Sequence, residues 1–292
     1  MRPMCLSTSW ARKITQPSDS WLTVAGEIDL NDPKIVEVYD DLPLWSAMAG
    51  QLLLRYLPVT PELRVLDVGC GTGFPALELA QRLGPAATVT GIDPWAAAVV
   101  RARHKAKIWG VDNVTFIDCD ATAMPFPDGS FDLIVSNLGL NNFADPVAAL
   151  TECRRVARPG SRLALATNLQ GTMAEFYAIF RSVLNAPAAQ AVDIHVAQRA
   201  TIPGIFTLLE RTGFHPGRSV EERMVVRFAN GTALLRHSFI RLGFLPAWRS
   251  LIMQAEWPEV FERLRAALDA HAAQHDWLQL TVPMAYVEGR AI

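Results

Sequence analysis

Two rhythms of apolar and polar positions divide this chain. Short apolar runs recur at 63–68, 88–92, 114–118, 131–136 and 162–167, each bounded by Gly, Pro, Asp or Asn. That is the pattern of buried strands. Helical spacing fills the gaps between them. One stretch puts Ala76, Leu77, Ala80 and Leu83 on one face and stops at Gly84; another runs from Pro94 to Trp109; a third follows Asp145-Pro146 to about Ala157. Strand and helix therefore alternate over 63–167, which predicts a doubly wound parallel α/β sheet. Upstream, Pro33 opens a helix that reaches Leu42, Pro43 breaks it, and 45–57 makes a second. Downstream the alternation loosens. Thr172 and Glu175 have capping-box spacing ahead of a face of Phe176, Tyr177, Phe180, Val183 and Leu184. Helices are expected at 192–200 and 203–212 and a sixth strand at 217–228. Two or three helices should fill 231–275, with breaks at Pro246 and Pro258, before a last strand at 277–288.

The first strand ends in the most informative stretch, Asp67-Val-Gly69-Cys70-Gly71-Thr-Gly73-Phe74-Pro75. Strand, glycine loop and helix make a site where backbone can approach a ligand closely. Dinucleotide, phosphate and nucleoside sites share that device. The order here is G-x-G-x-G, whereas the dinucleotide fingerprint is G-x-G-x-x-G. Asp67 stands at the strand's carboxyl end, where it would repel a pyrophosphate and attract an ammonium or sulfonium. Asp93 ends the second strand. An acid there can accept hydrogen bonds from the ribose hydroxyls of any adenosine-bearing cofactor, or cap the helix that Pro94 starts. Asp120 after the third strand can accept from an adenine amino group or be an ordinary loop acid. Asn137 ends the fourth strand and points where cofactor and substrate should meet.

Composition removes several classes. The chain has 292 residues, half of them hydrophobic, and a net charge of −2, so its bulk field gives no reason to expect a nucleic-acid partner. The four cysteines are widely spaced, with no CxxC pair, so neither a metal site nor a disulfide framework is indicated. No apolar run is long enough to span a bilayer. Arg2, Arg12 and Lys13 precede no apolar signal core, and a cytoplasmic setting is expected. Arg101, Arg103, His104, Lys105 and Lys107 read as a solvated helix face. Tyr39 and Trp45 can line a ligand mouth or simply pack. The six histidines are scattered, and His195 and His237 are the better candidates for a base because they lie in the segments expected to cover the crevice.

The glycine loop, Gly91-Ile92-Asp93-Pro94, Asp120-Ala121, Pro127-Asp128-Gly129-Ser130-Phe131-Asp132 and Arg158-Pro159-Gly160 occur in an order that resembles class I S-adenosylmethionine (SAM) methyltransferases. The branch most similar is the ubiquinone/menaquinone-biosynthesis-like one, methyltransferase type 11, over roughly 62–170. The resemblance implies a seven-stranded, mostly parallel Rossmann-like sheet with an antiparallel terminal strand. Helical insertions near 172–200 and 231–275 would lie over the cofactor crevice. It implies a lead-in or lid over 1–60 and a SAM-binding domain over 61–292. The cofactor contacts it implies are Asp67, Gly69, Cys70, Gly71 and Gly73 toward the methionine end, Asp93 and Pro94 at the ribose, Asp120 and Ala121 at the adenine, and Asn137 alongside. Asn141-Asn142 departs from the family, many of whose members carry a His pair there, so no catalytic residue is assigned.

Methyl transfer from a sulfonium is an in-line displacement in which alignment does most of the work, and a base is needed only if the nucleophile arrives protonated. The expected function is transfer from SAM to a small, mostly apolar acceptor. Met173, Phe176, Tyr177, Phe180 and Leu184, with Phe239, Leu242, Phe244, Leu245, Trp248 and Met253, are expected to line the acceptor pocket. The alternatives are a non-catalytic SAM-binding protein and an NAD(P)-dependent oxidoreductase.

Overall fold

The computed structural model describes residues 29, 31–41 and 44–292. The basic start of the chain and the Leu42-Pro43 break lie outside them. Seven strands form one sheet: β1 (Arg64–Val68), β2 (Thr88–Asp93), β3 (Val114–Asp118), β4 (Phe131–Asn137), β5 (Ala157–Asn168), β6 (Phe214–Phe228) and β7 (Leu278–Ala291), in the order β3-β2-β1-β4-β5-β7-β6. All pairs are parallel except those of β7, which runs antiparallel to both β5 and β6. This is the expected fold class, terminal strand included.

Alternation along the strands explains the two helical layers. Leu66, Val68 and Ile134 enter one core, while Val65, Leu133 and Val135 enter the other. Successive side chains leave a strand on opposite faces, so a strand apolar at every position needs cover on both. One face is covered by α5 (Pro146–Val156) and α8 (Ile202–Arg211), through Leu150 and Leu209. The other is covered by α2 (Leu44–Tyr56), α3 (Ala76–Leu83) and α4 (Ala96–Trp109), through Leu53, Leu77 and Val99. The sheet order reverses between β1 and β4, where Asp67 is registered against Val135. Open α/β sheets bind ligands outside the strand carboxyl ends at such a switch point.

Several local readings change. α4 starts at Ala96, so Asp93 is not its N-cap. Its carboxylate closes the preceding turn instead, accepting from Trp95 N at 2.8 Å. The helix expected at 192–200 is α7 (Ala186–Ala197), started earlier by Asn185, which accepts from Ala188 N. The segment 231–275 holds four helices, not two or three: α9 (Gly231–Arg236), α10 (Ser238–Gly243), α11 (Leu245–Ser250) and α12 (Trp257–His275). The Thr172–Glu175 capping box does not form. Glu175, in α6 (Ala174–Ser182), accepts from Thr281 N at 3.0 Å and from Thr281 Oγ1 at 2.5 Å on β7, a charge-assisted pair of bonds that a box would forgo.

The basic face of α4 is not merely solvated. Arg101 and Lys105 both clasp Asp40 of α1 (Pro33–Asp41), at 2.9 and 2.6 Å, with the lysine only 14% exposed. The aromatic face of α6 is likewise different from expectation. Phe176 is fully enclosed, stacked on Trp248 with ring centroids 4.1 Å apart, and Tyr177 is enclosed beside it. These rings fill the core of the cover and do not line an open pocket. Phe176→Ala should therefore lower unfolding free energy by about 3–5 kcal/mol, read by urea denaturation. A loss below about 1 kcal/mol would mean that the ring faces free space.

Candidate functional site

The site forms where β1, β2 and β4 end. β1 delivers Asp67, and the chain then turns through Gly69, Gly71 and Gly73, all with positive φ. Gly71 has φ +50, and a Cβ built there meets nothing within 4 Å. The loop therefore has both the conformation that glycine favours and open space in front of it. Its other side is held. Gly69 N and Cys70 N both donate to Ile92 O of β2, at 2.9 and 3.0 Å, and Gly71 N donates to Asp93 Oδ2 at 2.8 Å.

Asp67 is wholly buried. Its Oδ2 accepts from Ala76 N at 3.1 Å, whereas its Oδ1 has no partner among the described residues. Burial pushes this carboxyl up to about 8 against the Ala76 hydrogen bond, and the nearby Asp93 charge adds to the rise. Asp93 is raised too, first by burial, although its two backbone hydrogen bonds favour the ionised form. Cys70 is buried, with its thiol pushed well above the usual range by burial and then by Asp67. A thiol so held stays protonated and is no nucleophile.

Asn137 is 7% exposed at the end of β4. Its Nδ2 donates to Ser46 O of α2 at 3.0 Å, which ties the N-terminal helices to the site. Its Oδ1 is buried without a partner among the described residues. The neighbouring strands β1 and β4 thus each carry, near their carboxyl ends, a buried oxygen with no partner among the described residues. A buried acceptor left unpaired costs free energy, and a bound donor would recover it.

The chain then passes through Leu138, at φ 64, into the one-turn segment Gly139–Asn141. A Cβ on Gly139 would lie 2.3 Å from Ser136 Oγ and 2.9 Å from Val68 O, so this turn fits against β1 only as glycine. Asp120 is exposed and its carboxylate is engaged with Thr122, through N and Oγ1, which holds it below the usual range. Pro94 lies in the turn between β2 and α4, and Ala121 follows Asp120 as a buried residue. Tyr39 of α1 packs edge-on against Trp95, and burial followed by Asp93 and Asp40 raises its phenol. It lies near enough to Asp93 for that charge to bear on it. Trp45 packs instead on Phe239 and Phe244 of the cover.

The candidate bases are elsewhere. His195 meets Tyr177 at 3.4 Å within the cover and is held below its usual range by burial and Arg199. His237 packs against Phe228. Among the described residues no group of three metal-ligating side chains forms, and no helix is long and apolar enough to cross a membrane. The Ser46 carbonyl and the Asp40 clasp have no sequence signature. Asn168, at the end of β5, could have been found by the strand-end logic that found Asn137.

Residues 60–213 match the protein family described as "Methyltransferase domain", which is just over half the chain. The chain belongs to this methyltransferase-domain family. A demethylmenaquinone methyltransferase of Thermus thermophilus is 43% identical over 119 residues, covering 41% of this chain and 51% of the relative. One from Listeria welshimeri is 36% identical over 135 residues, covering 45% and 57%. The chain thus spans about half the length of the curated relatives it matches. Among solved structures, a SAM-dependent methyltransferase from Aquifex aeolicus superposes with a TM-score of 0.52 at 24% identity, covering 65% of this chain and 92% of that one. A Bacillus subtilis protein reaches 0.56 at 18% identity, covering 84% and 98%. These likenesses bear out the fold of the methyltransferase domain.

The raised Asp67 carboxyl has a measurable consequence. An unfolded aspartate titrates near about 4, so between there and about 8 the folded domain holds a proton that the unfolded chain has lost. This contribution to stability is complete below the unfolded pKa and falls as pH rises through the folded one. Asp67→Asn removes the titration at nearly constant volume. Denaturation series across that window should show ligand-free wild type losing stability with pH more steeply than the variant. Parallel curves would show that the carboxyl is ionised throughout.

Proposed function

We propose that this chain transfers a methyl group from SAM to a small, mostly apolar acceptor by in-line displacement. The carrying observation is the pair of buried, unpartnered oxygens, Asp67 Oδ1 and Asn137 Oδ1, beside a glycine loop with open space before it. A ligand that is positively charged, donates hydrogen bonds and carries no phosphate fits this pair. SAM has an ammonium and a sulfonium and meets those terms. Asp67, Gly69, Cys70, Gly71 and Gly73 would hold its methionine end, Asp93 and Pro94 the ribose, and Asp120 and Ala121 the adenine. Asn137 would lie beside the reacting centre. Two of Asp93's acceptor sites are used by backbone N–H groups, and a carboxylate retains capacity for two more.

When bound, SAM supplies a methyl group already activated by its sulfur. The protein's share is alignment and exclusion of water. Residues 1–60 form a lead-in, of which α2 packs into the sheet core and α1 is the described part suited to a lid, and 61–292 form the cofactor domain with its cover. The two clasps, Asp40 to α4 and Ser46 to Asn137, would tie that lead-in to the cofactor site. The names of the demethylmenaquinone methyltransferases support a quinol-like acceptor, a ring bearing an apolar chain. The expected setting is the cytoplasm, with a small-molecule partner and no nucleic acid.

Calorimetric titration with SAM and, separately, with NAD(H) tests the cofactor; transfer of labelled methyl to a metabolite extract, with the product weighed, tests the reaction. SAM should bind and NAD(H) should not. Asp93→Ala should lose about 1–3 kcal/mol of SAM binding, and unchanged affinity would sink the assignment. Gly71→Val should abolish binding in a folded protein, because the side chain would fill the open space and a branched residue resists positive φ. A cation beside Asp67 favours its ionised form, so SAM affinity should rise with pH toward about 8 and then level off. Asp67→Asn should flatten that rise.

A further inference from the structure

A hydrogen-bond chain of neutral side chains runs from the buried end of β5 to an exposed amide on the turn after β4. It starts at Leu169 O, which can only accept. Thr172 Oγ1 donates to it at 2.7 Å, so that hydroxyl's single proton is spent. Thr172 Oγ1 must then accept from Asn168, and Asn168 Nδ2 donates to it at 3.2 Å. With its amino group turned to Thr172, Asn168 presents Oδ1 to Asn141, and Asn141 Nδ2 donates to that oxygen. Each link fixes the direction of the next. Thr172 and Asn168 are buried, while Asn141 is exposed. The chain therefore leaves one free acceptor at its open end, Asn141 Oδ1, to which nothing donates among the described residues. Reversing the Asn141 amide would set its oxygen against Asn168 Oδ1, replacing a hydrogen bond by a repulsion.

The segment that carries Asn141 is equally constrained. Leu138 is held at φ 64 with its N–H donated to Ala166 O at 2.7 Å, and Asn142 Nδ2 donates to Leu138 O at 3.1 Å. Gly139 packs toward the glycine loop, and a Cβ on Gly69 would come within 3.4 Å of Gly139 Cα. A non-glycine residue in the left-handed region is retained where its surroundings fix it, and such residues cluster at functional sites. The free oxygen thus sits on a fixed turn two residues beyond the one that abuts the cofactor loop.

We propose that Asn141 is a specificity-determining residue for the methyl acceptor. Its Oδ1 accepts a hydrogen bond from a hydroxyl or amine carried beside the methylated atom, and Asn168 and Thr172 act through it as positioning residues. The inference rests on the methyl-transfer reading and adds a chemical requirement to it: the apolar acceptor bears a neutral hydrogen-bond donor at its reacting edge. An amide oxygen is too weak a base to take that proton, so Asn141 orients the acceptor and does not deprotonate it.

The test compares two probes, a prenylated naphthohydroquinone and its dimethyl ether, bound to the full chain saturated with S-adenosylhomocysteine under reducing conditions. They share ring and chain and differ in the donors. Wild type should bind the hydroquinone about tenfold more tightly. Asn141→Ala should bring the ratio near one, with S-adenosylhomocysteine affinity and thermal stability unchanged. Asn168→Asp, which still accepts from Asn141 Nδ2, should keep the preference. Asn168→Leu, which releases the amide, should weaken it. A preference that survives Asn141→Ala overturns the proposal, as does equal binding of both probes by wild type. Failure of both probes to bind a wild type that holds S-adenosylhomocysteine also overturns it. Failure to bind either SAM or S-adenosylhomocysteine would instead overturn the methyl-transfer reading beneath it.

Discussion

The loop after β1 keeps its shape because β2 holds it from the side. Ile92 O receives two of its N–H groups and the Asp93 carboxylate receives a third, while the same carboxylate closes the turn into α4. Loop residues at positive φ have little intrinsic preference for one conformation, so this lateral grip does what local propensity cannot. It also concentrates negative charge. Burial raises both carboxyls, and a neighbouring charge adds to each rise: Asp93 for Asp67 and Asp118 for Asp93. The ligand-free Asp67 carboxyl therefore keeps its proton up to about 8, and under the proposed reading a bound cation would favour its loss. Binding and loop geometry depend on the same few atoms.

Much of this was legible in the sequence. Short apolar runs at 63–68, 88–92 and 131–136 placed Asp67, Asp93 and Asn137 at or beside the strands' carboxyl ends, where polar residues interrupt or follow the apolar ones. What failed did so for a common reason. Thr172 and Glu175 have the right local spacing for a capping box, but Glu175 finds Thr281 on β7, a partner far along the chain. Arg101 and Lys105 look like surface charge until Asp40 arrives from α1. Local pattern is a weak guide wherever a distant polar partner competes with a local one. The role of Ser46 was invisible for another reason: it acts through a backbone carbonyl, which every residue has.

Helical spacing of aromatic residues was misleading in its own way. Phe176, Tyr177 and Phe180 do share a buried face, but periodicity reports only that a face avoids water. It does not say whether the face meets another helix or a ligand. Here Trp248 and Phe261 meet it, in one apolar cluster that runs on into the sheet core through Leu53, Val135 and Tyr286. Phe176 and Phe180, both fully buried, therefore have no surface left to offer a ligand.

The two sides of the crevice then differ in kind. Carboxylates stand at β1 and β2, where a sulfonium-bearing ligand would lie; amides and a hydroxyl stand at β4 and β5, in Asn137, Asn141, Asn168 and Thr172. Under the proposed reaction this division has a chemical reason. A carboxylate or imidazole set in line with an activated methyl group is itself a nucleophile and would compete with the acceptor. An amide oxygen is a poor nucleophile, yet it still accepts a hydrogen bond and fixes an orientation. A neutral acceptor side also demands less desolvation of an apolar substrate than a charged one would. Under that reading the charged groups would bind the cofactor without facing the departing methyl, and the amides would direct the acceptor without intercepting the transfer.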